Sequence, residues 1–262
     1  MGCGWLGLPL AKALIEDGYL VRGTTTSANK LGTLQKEGIT PFLISLSEEN
    51  IEGDISSFLT DMEVLVINIP PKLRGGKKEN YIKKMQLLLE SLKAAKIKKV
   101  IFVSSTSVYG DINAEITEET IPQPSTESGK QLLASENIFK NNPEIRTTII
   151  RFGGLIGPDR HPVTMLSGRK ALNNENHPVN LIHLDDCILI INSVIKQNWW
   201  GEIFNAVYPF HPPKKEYYSQ EALKSDLILP QYAQNSQKSG KKIESRRLIH
   251  VKKYIFKTPI QR

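Results

Sequence analysis

The sequence predicts an α/β protein, a doubly wound parallel sheet with a small interleaved C-terminal lobe. Three observations carry this expectation. A G-x-G-x-x-G turn, Gly2-Cys3-Gly4-Trp5-Leu6-Gly7, leads directly into an amphipathic stretch; strand-like and helix-like segments alternate as far as residue 152; and Gly- and Pro-rich loops break that rhythm from Gly153 onward. A chain of 262 residues, 40% of them hydrophobic, is long enough for one such domain and a lobe.

The elements follow in order. Leu6, Leu10, Ala13 and Leu14 fall at helical spacing, Pro9 is tolerated in a first turn, and Asp17-Gly18 supplies a stop. Residues 19–23 then read as a strand. A glycine turn of this kind should itself follow a buried strand, and here only Met1 precedes it, so the first strand of the sheet is expected to be missing. A shortened product or a misplaced start codon would leave a buried ladder unpaired. Further strands are expected at 42–46 and 63–69, and a helix at 80–95. In that helix Asn80 caps the start and Tyr81, Met85, Leu88, Leu89 and Leu92 form one apolar face. Strands at 99–104 and 147–152 complete the sheet. Residues 1–152, with 179–198 returning as a short strand and helix, are assigned to the dinucleotide-binding domain, and 153–178 with 199–262 to the substrate-binding lobe. The polar segment 234–242 is expected to be a mobile loop.

Composition excludes several classes. Two distant cysteines, Cys3 and Cys187, and five scattered histidines give neither a disulfide framework nor metal-ligand spacing, which fits a reducing cytoplasm. No apolar run reaches membrane-spanning length, and Leu6 stands where an N-myristoylation motif requires Ser or Thr. The net charge of +7 is spread over lysine clusters at 77–78, 83–84, 96–99 and 238–257 with little aromatic interleaving. Solvated faces account for them better than nucleic acid does, and an anionic cofactor and substrate account for part of the excess.

In a parallel sheet, ligands bind beyond the carboxyl ends of the strands. Gly2, Gly4, Trp5, Leu6 and Gly7 are therefore expected to cradle a dinucleotide pyrophosphate at a helix N-terminus. No Asp or Glu occurs between Gly18 and Gln35, where an NAD site places a carboxylate on the ribose 2′-hydroxyl. The absence favours NADP over NAD, with Thr24, Thr25, Thr26 and Ser27, together with Arg22 and Lys30, offered to a 2′-phosphate. Ile69, in Asn68-Ile69-Pro70-Pro71, is expected to wall the cofactor, and Ser104 to meet it at the end of the 99–104 strand.

That strand runs into Ser104-Ser105-Thr106-Ser107-Val108-Tyr109-Gly110, a Ser-Ser-x-x-Val-Tyr-Gly segment. Gly129-Lys130 with Glu136, Ile150-Arg151-Phe152-Gly153-Gly154-Leu155-Ile156-Gly157-Pro158 and Val179-Asn180-Leu181-Ile182-His183-Leu184-Asp185-Asp186 follow it. In order and spacing these blocks resemble the extended short-chain dehydrogenase/reductases, the NAD(P)-dependent epimerase/dehydratase family. The resemblance implies a Rossmann fold and hydride transfer to or from a sugar-nucleotide-like or small carbonyl substrate. It implies that Ser105 hydrogen-bonds the substrate hydroxyl and that Lys130 binds the nicotinamide ribose. The family's acid/base tyrosine, four residues before that lysine, is replaced by Thr126. An aliphatic hydroxyl is far too weak an acid to replace a phenol of pKa ~10, so Thr126 is expected at most to hold a water or a substrate hydroxyl. Tyr109 is the alternative proton donor, although the motif tyrosine packs under the site elsewhere in the family. The departure resembles the atypical branch of the superfamily, and leaves a non-catalytic NADP-binding sensor as the competing reading.

Other candidates have structural rivals. Arg160-His161 would meet an anionic substrate group or lie on a surface loop. His183 is expected to make a structural hydrogen bond before a cap at Asp185, and Trp199-Trp200 and Tyr217-Tyr218 to pack the lobe rather than line a pocket. The helices flanking the sheet are where a homodimer would form.

Overall fold

The computed structural model describes residues 1–71, 79–233 and 240–261; the lysine pair at 77–78 and most of the expected mobile loop lie outside the described residues. The central sheet has four parallel strands in the order β11-β8-β6-β5: Val64–Ile67 (β5), Lys99–Ser105 (β6), Arg146–Phe152 (β8) and Ile203–Ala206 (β11). The apolar, β-branched runs Val100-Ile101 and Ile149-Ile150 are buried because helices cover both faces. On one face lie Tyr81–Ala94 (α4) and Glu127–Lys140 (α5), whose Met85, Leu88, Leu92 and Phe139 pack with Phe102. On the other lie Gly7–Glu16 (α1) and Leu184–Lys196 (α7), which set Leu10, Leu14, Ile190 and Val194 against Ile150 and Phe204.

Beyond β5, Arg22–Thr25 (β1) and Thr40–Leu43 (β2), connected through Leu31–Lys36 (α2), form a separate parallel pair. Residues 1–3 join it to the central sheet. The Met1 amino group donates to the Val66 carbonyl at 2.6 Å, Asn68 N–H donates to the Met1 carbonyl at 3.0 Å, and Cys3 N–H donates to the Thr24 carbonyl at 2.9 Å. The switch in strand order thus falls at the glycine turn, where a doubly wound sheet opens its ligand crevice.

Two expectations change. The strand expected at 19–23 begins only at Arg22, because Gly18 turns the chain at φ +88° and Leu20 is exposed. The strand expected at 42–46 is divided: β2 ends at Leu43, and Ser45–Leu46 (β3) pairs antiparallel with Ile51–Glu52 (β4). Within 199–262, Ile203–Ala206 (β11) pairs with β8 and Leu248 packs in the sheet core. Gly154–Ile156 (β9) pairs parallel with Leu181–His183 (β10), and Ile156, Val163 of Pro162–Leu166 (α6) and Tyr217 of Lys214–Lys224 (α8) make a smaller core in the lobe. The described end of the expected loop is ordered as Lys242–Ile243 (β12), parallel to Glu115–Ile116 (β7). No helix among the described residues is long and apolar enough to cross a membrane.

A buried polar chain crosses the sheet beneath its ligand end. Ser104 Oγ donates to Glu136 Oε1 at 2.5 Å, and Arg151 holds the same carboxylate through Nε and Nη2, the latter at 2.6 Å from Oε2. Arg151 Nη1 donates to the Tyr109 hydroxyl, which donates to Asn205 Oδ1, both at 2.8 Å. Removing one member of a buried ion pair leaves the other charge uncompensated. Glu136→Ala is therefore expected to lose about 3–5 kcal/mol of stability in urea denaturation, and a loss below about 1 kcal/mol would contradict this account.

Candidate functional site

The three glycines of the turn meet different constraints. Gly2 has φ +88°, and a Cβ there would stand 2.4 Å from the Asn68 carbonyl oxygen; a Cβ on Gly7 would stand 2.2 Å from the Gly2 oxygen. A Cβ on Gly4 would meet nothing within 4 Å. The outer glycines are thus required by the protein's own packing, whereas the middle one keeps an open cradle clear at the N-terminus of α1. Among the described residues the Trp5 and Leu6 backbone N–H groups have no backbone acceptor, and the helix dipole adds partial positive charge there. Leu6 turns its side chain into the core, so only its backbone faces the cradle. This donor set and this clearance fit a pyrophosphate.

The surrounding candidates divide. Thr24 is buried and its Oγ1 accepts from Gly2 N–H at 2.9 Å, so it props the turn. Thr25 Oγ1 accepts from Ser27 N–H at 3.1 Å. Arg22 Nη1 donates to the Ser57 and Phe58 carbonyls at 3.0 and 3.2 Å, and to that of Thr60, so this nitrogen caps the end of Ile55–Leu59 (α3). Lys30 and Thr26 remain exposed. Ile69 Cγ1 lies 3.5 Å from the Cβ position of Gly2, as a wall beside the turn.

At the end of β6, Ser105 caps the short 3-10 turn Thr106–Tyr109: its Oγ accepts from Ser107 N–H at 3.2 Å and its own proton remains to be donated. Ser104, its neighbour, is committed to Glu136. Tyr109 does not fit the proton-donor role, because it is fully buried and its hydroxyl lies between Arg151 and Asn205; burial also pushes its pKa up. Thr126 is the N-cap of α5, accepting from Gly129 N–H at 3.1 Å, and this explains a short hydroxyl residue at that position. A Cβ on Gly129 would come within 2.8 Å of the Ser107 carbonyl, so α5 presses against the turn. That contact brings Ser105 and Lys130, whose side chain is exposed, to the same end of the sheet.

The lobe candidates are mostly structural. His161 is buried as the N-cap of α6: Nδ1 accepts from Val163 N–H, which leaves Nε2–H to donate to the Tyr217 hydroxyl at 3.0 Å. His183 itself, not Asp185, caps α7, with Nδ1 accepting from Asp185 N–H. Trp199 and Trp200 pack on the sheet core, Tyr217 fills the lobe core, and Tyr218 lines a cleft with Arg169 and Lys214. Sequence reasoning missed Lys241. Its Nζ donates to the Gly110 carbonyl at 2.5 Å and faces that of Thr106 at 3.4 Å, pinning the turn that begins at Ser105, while burial pushes its pKa down. Nothing local in a Lys-rich stretch singles it out.

The glycine geometry separates folding from binding. Gly4→Val is expected to melt like the wild type and to lose dinucleotide binding in a fluorescence titration with NADPH. Gly2→Ala, forced into a left-handed conformation, is expected to lower stability by about 1–3 kcal/mol. A stable Gly4→Val protein that binds as the wild type does would place the ligand elsewhere.

Comparisons with known proteins agree with this geometry. The family model described as NAD(P)H-binding matches residues 2–180. Protein YeeZ of Escherichia coli (strain K12) is 37% identical over 242 residues, covering 92% of this chain and 88% of that one. Among solved structures, UDP-glucuronic acid 4-epimerase from Bacillus cereus in complex with NAD superposes with a TM-score of 0.78 at 21% identity, over 98% of this chain and 90% of that one. MoeE5 in complex with UDP-glucuronic acid and NAD gives a TM-score of 0.78 at 17% identity, over 98% and 92%. With the family match spanning most of the sequence and the fold shared end to end with these structures, the chain belongs to the NAD(P)H-binding family.

Proposed function

We propose that this protein binds NADP in preference to NAD and transfers a hydride between the nicotinamide and a carbinol of a sugar-nucleotide-like or small carbonyl substrate. The observation that carries the reading is the open cradle at Gly4, at the same sheet end as Ser105 and Lys130. Bound there, the dinucleotide would supply or take up the hydride. Trp5 and Leu6 N–H groups would hold its pyrophosphate, and Lys130 its nicotinamide ribose. Ser105 would orient the substrate hydroxyl with the proton that its cap leaves free. Thr25, Thr26, Ser27 and Lys30 support NADP, in a segment that offers no carboxylate to a ribose 2′-hydroxyl. The sugar-nucleotide class rests on the structural relatives, two of which hold a UDP-sugar or NAD. Cys3 and Cys187, both free thiols, suit a reducing cytoplasm.

Because Thr126 is held as a helix cap and Tyr109 is buried, the proton must pass through Ser105 to water or to another side chain. The same fact favours the second reading, a binding module without turnover, and one assay separates the two. Sugar nucleotides and small carbonyls are incubated with NADP(H), and both nicotinamide absorbance and product chromatography are followed. Turnover that falls about 100-fold in Ser105→Ala supports the enzyme; NADPH binding without turnover of any member supports the module. Thr126→Ala is expected to cost about 1 kcal/mol of stability through loss of the cap, with kcat changed little. A large loss of kcat with unchanged stability would show that Thr126 takes part in the chemistry.

A further inference from the structure

The Trp5 side chain does not stay with its own turn. Its Nε1 donates to Asp159 Oδ1 at 2.8 Å, and the guanidinium carbon of Arg160 lies 4.9 Å from its ring centroid. A Cβ on Gly157 would stand 2.8 Å from Trp5 Cζ2, so the loop at 157–160 can reach the indole only with glycine at that position. Gly157 and Arg160 exchange backbone hydrogen bonds of 2.8 and 3.2 Å, which sets the loop as a tight turn over the ring. A loop from the start of the lobe therefore sits on the residue that lies between the second and third glycines of the cofactor turn.

Arg160 is exposed and is not among the residues of the described ion pairs. Stacking on an indole face leaves the guanidinium's in-plane N–H groups available, in the fork that matches a phosphate. It also orders a long side chain before any ligand arrives, which lowers the entropy cost of binding. The one carboxylate in the clasp, Asp159, has Oδ1 on the indole N–H.

We propose that Arg160 is a lobe-borne ligand of the dinucleotide pyrophosphate, presented by Trp5, so that the loop at 157–160 closes the cofactor site from the side opposite α1. The proposal rests on the dinucleotide reading above and adds to it a cation from outside the nucleotide domain. The backbone cradle at Gly4 and the guanidinium then hold one pyrophosphate from two sides, and the cofactor ties lobe to sheet.

The test is calorimetric titration of the wild type, Arg160→Ala and Arg160→Lys with NADPH, ADP-ribose and adenosine, with thermal melting of each unliganded protein. Arg160 is exposed, so the variants are expected to melt as the wild type does. Arg160→Ala is expected to weaken NADPH and ADP-ribose about 10-fold, to leave adenosine unchanged, and to flatten the salt dependence of NADPH binding. Arg160→Lys should recover part of the loss, since it keeps charge without the fork. Wild-type affinity for NADPH in Arg160→Ala, or an equal loss for adenosine, overturns the proposal and leaves the dinucleotide site standing. A wild type that binds neither NADPH nor ADP-ribose overturns both.

Discussion

The close approach of the turn at residues 2–7 to the strands on either side of it governs the ligand end of this molecule. Gly2 lies against Asn68, which follows β5, its N–H is held by Thr24 of β1, and Gly7 folds back over the Gly2 carbonyl. No side chain fits at either outer glycine, so the backbone of residues 4–6 is presented rather than buried. The cradle at Gly4 follows from that crowding: packing fixes two glycines, and the third keeps its space free.

The ligand end of β6 depends on a second constraint, the buried Glu136–Arg151 pair. It engages Ser104 at the end of β6 and, through Tyr109, the 3-10 turn that Ser105 opens. A charged pair inside a sheet core contributes little net stability against apolar residues of the same shape, yet it tolerates few alternative arrangements. Here it fixes the end of β6, and Lys241 and Gly129 hold the same turn from the lobe and from α5. Ser105 is thus positioned from three directions without committing its own proton.

Local signals were legible in the sequence. The helix α4, with its Asn80 cap and five buried apolar residues, follows from spacing alone, and so does the presence of the glycine turn, although the constraint on Gly2 comes from Asn68, far along the chain. What escaped depended on distant partners. Arg22 reads as a cation beside a phosphate site, and its cap on α3, more than thirty residues downstream, is set by that helix's terminal carbonyls. The four residues of β11 lie in a stretch with no periodicity of its own and become a strand by pairing with β8. His161 and His183 act as helix caps through Nδ1, a role that sequence rules assign to Ser, Thr, Asp and Asn. Thr126 was legible as a missing tyrosine, but its positive role required the start of α5.

The most direct test of the account is a crystal structure of the protein grown with NADPH. The expected result is a pyrophosphate over Gly4, within hydrogen-bond reach of the Trp5 and Leu6 N–H groups, with the nicotinamide end toward Ser105 and Lys130. A dinucleotide bound elsewhere, or a pyrophosphate displaced from the turn, would contradict it.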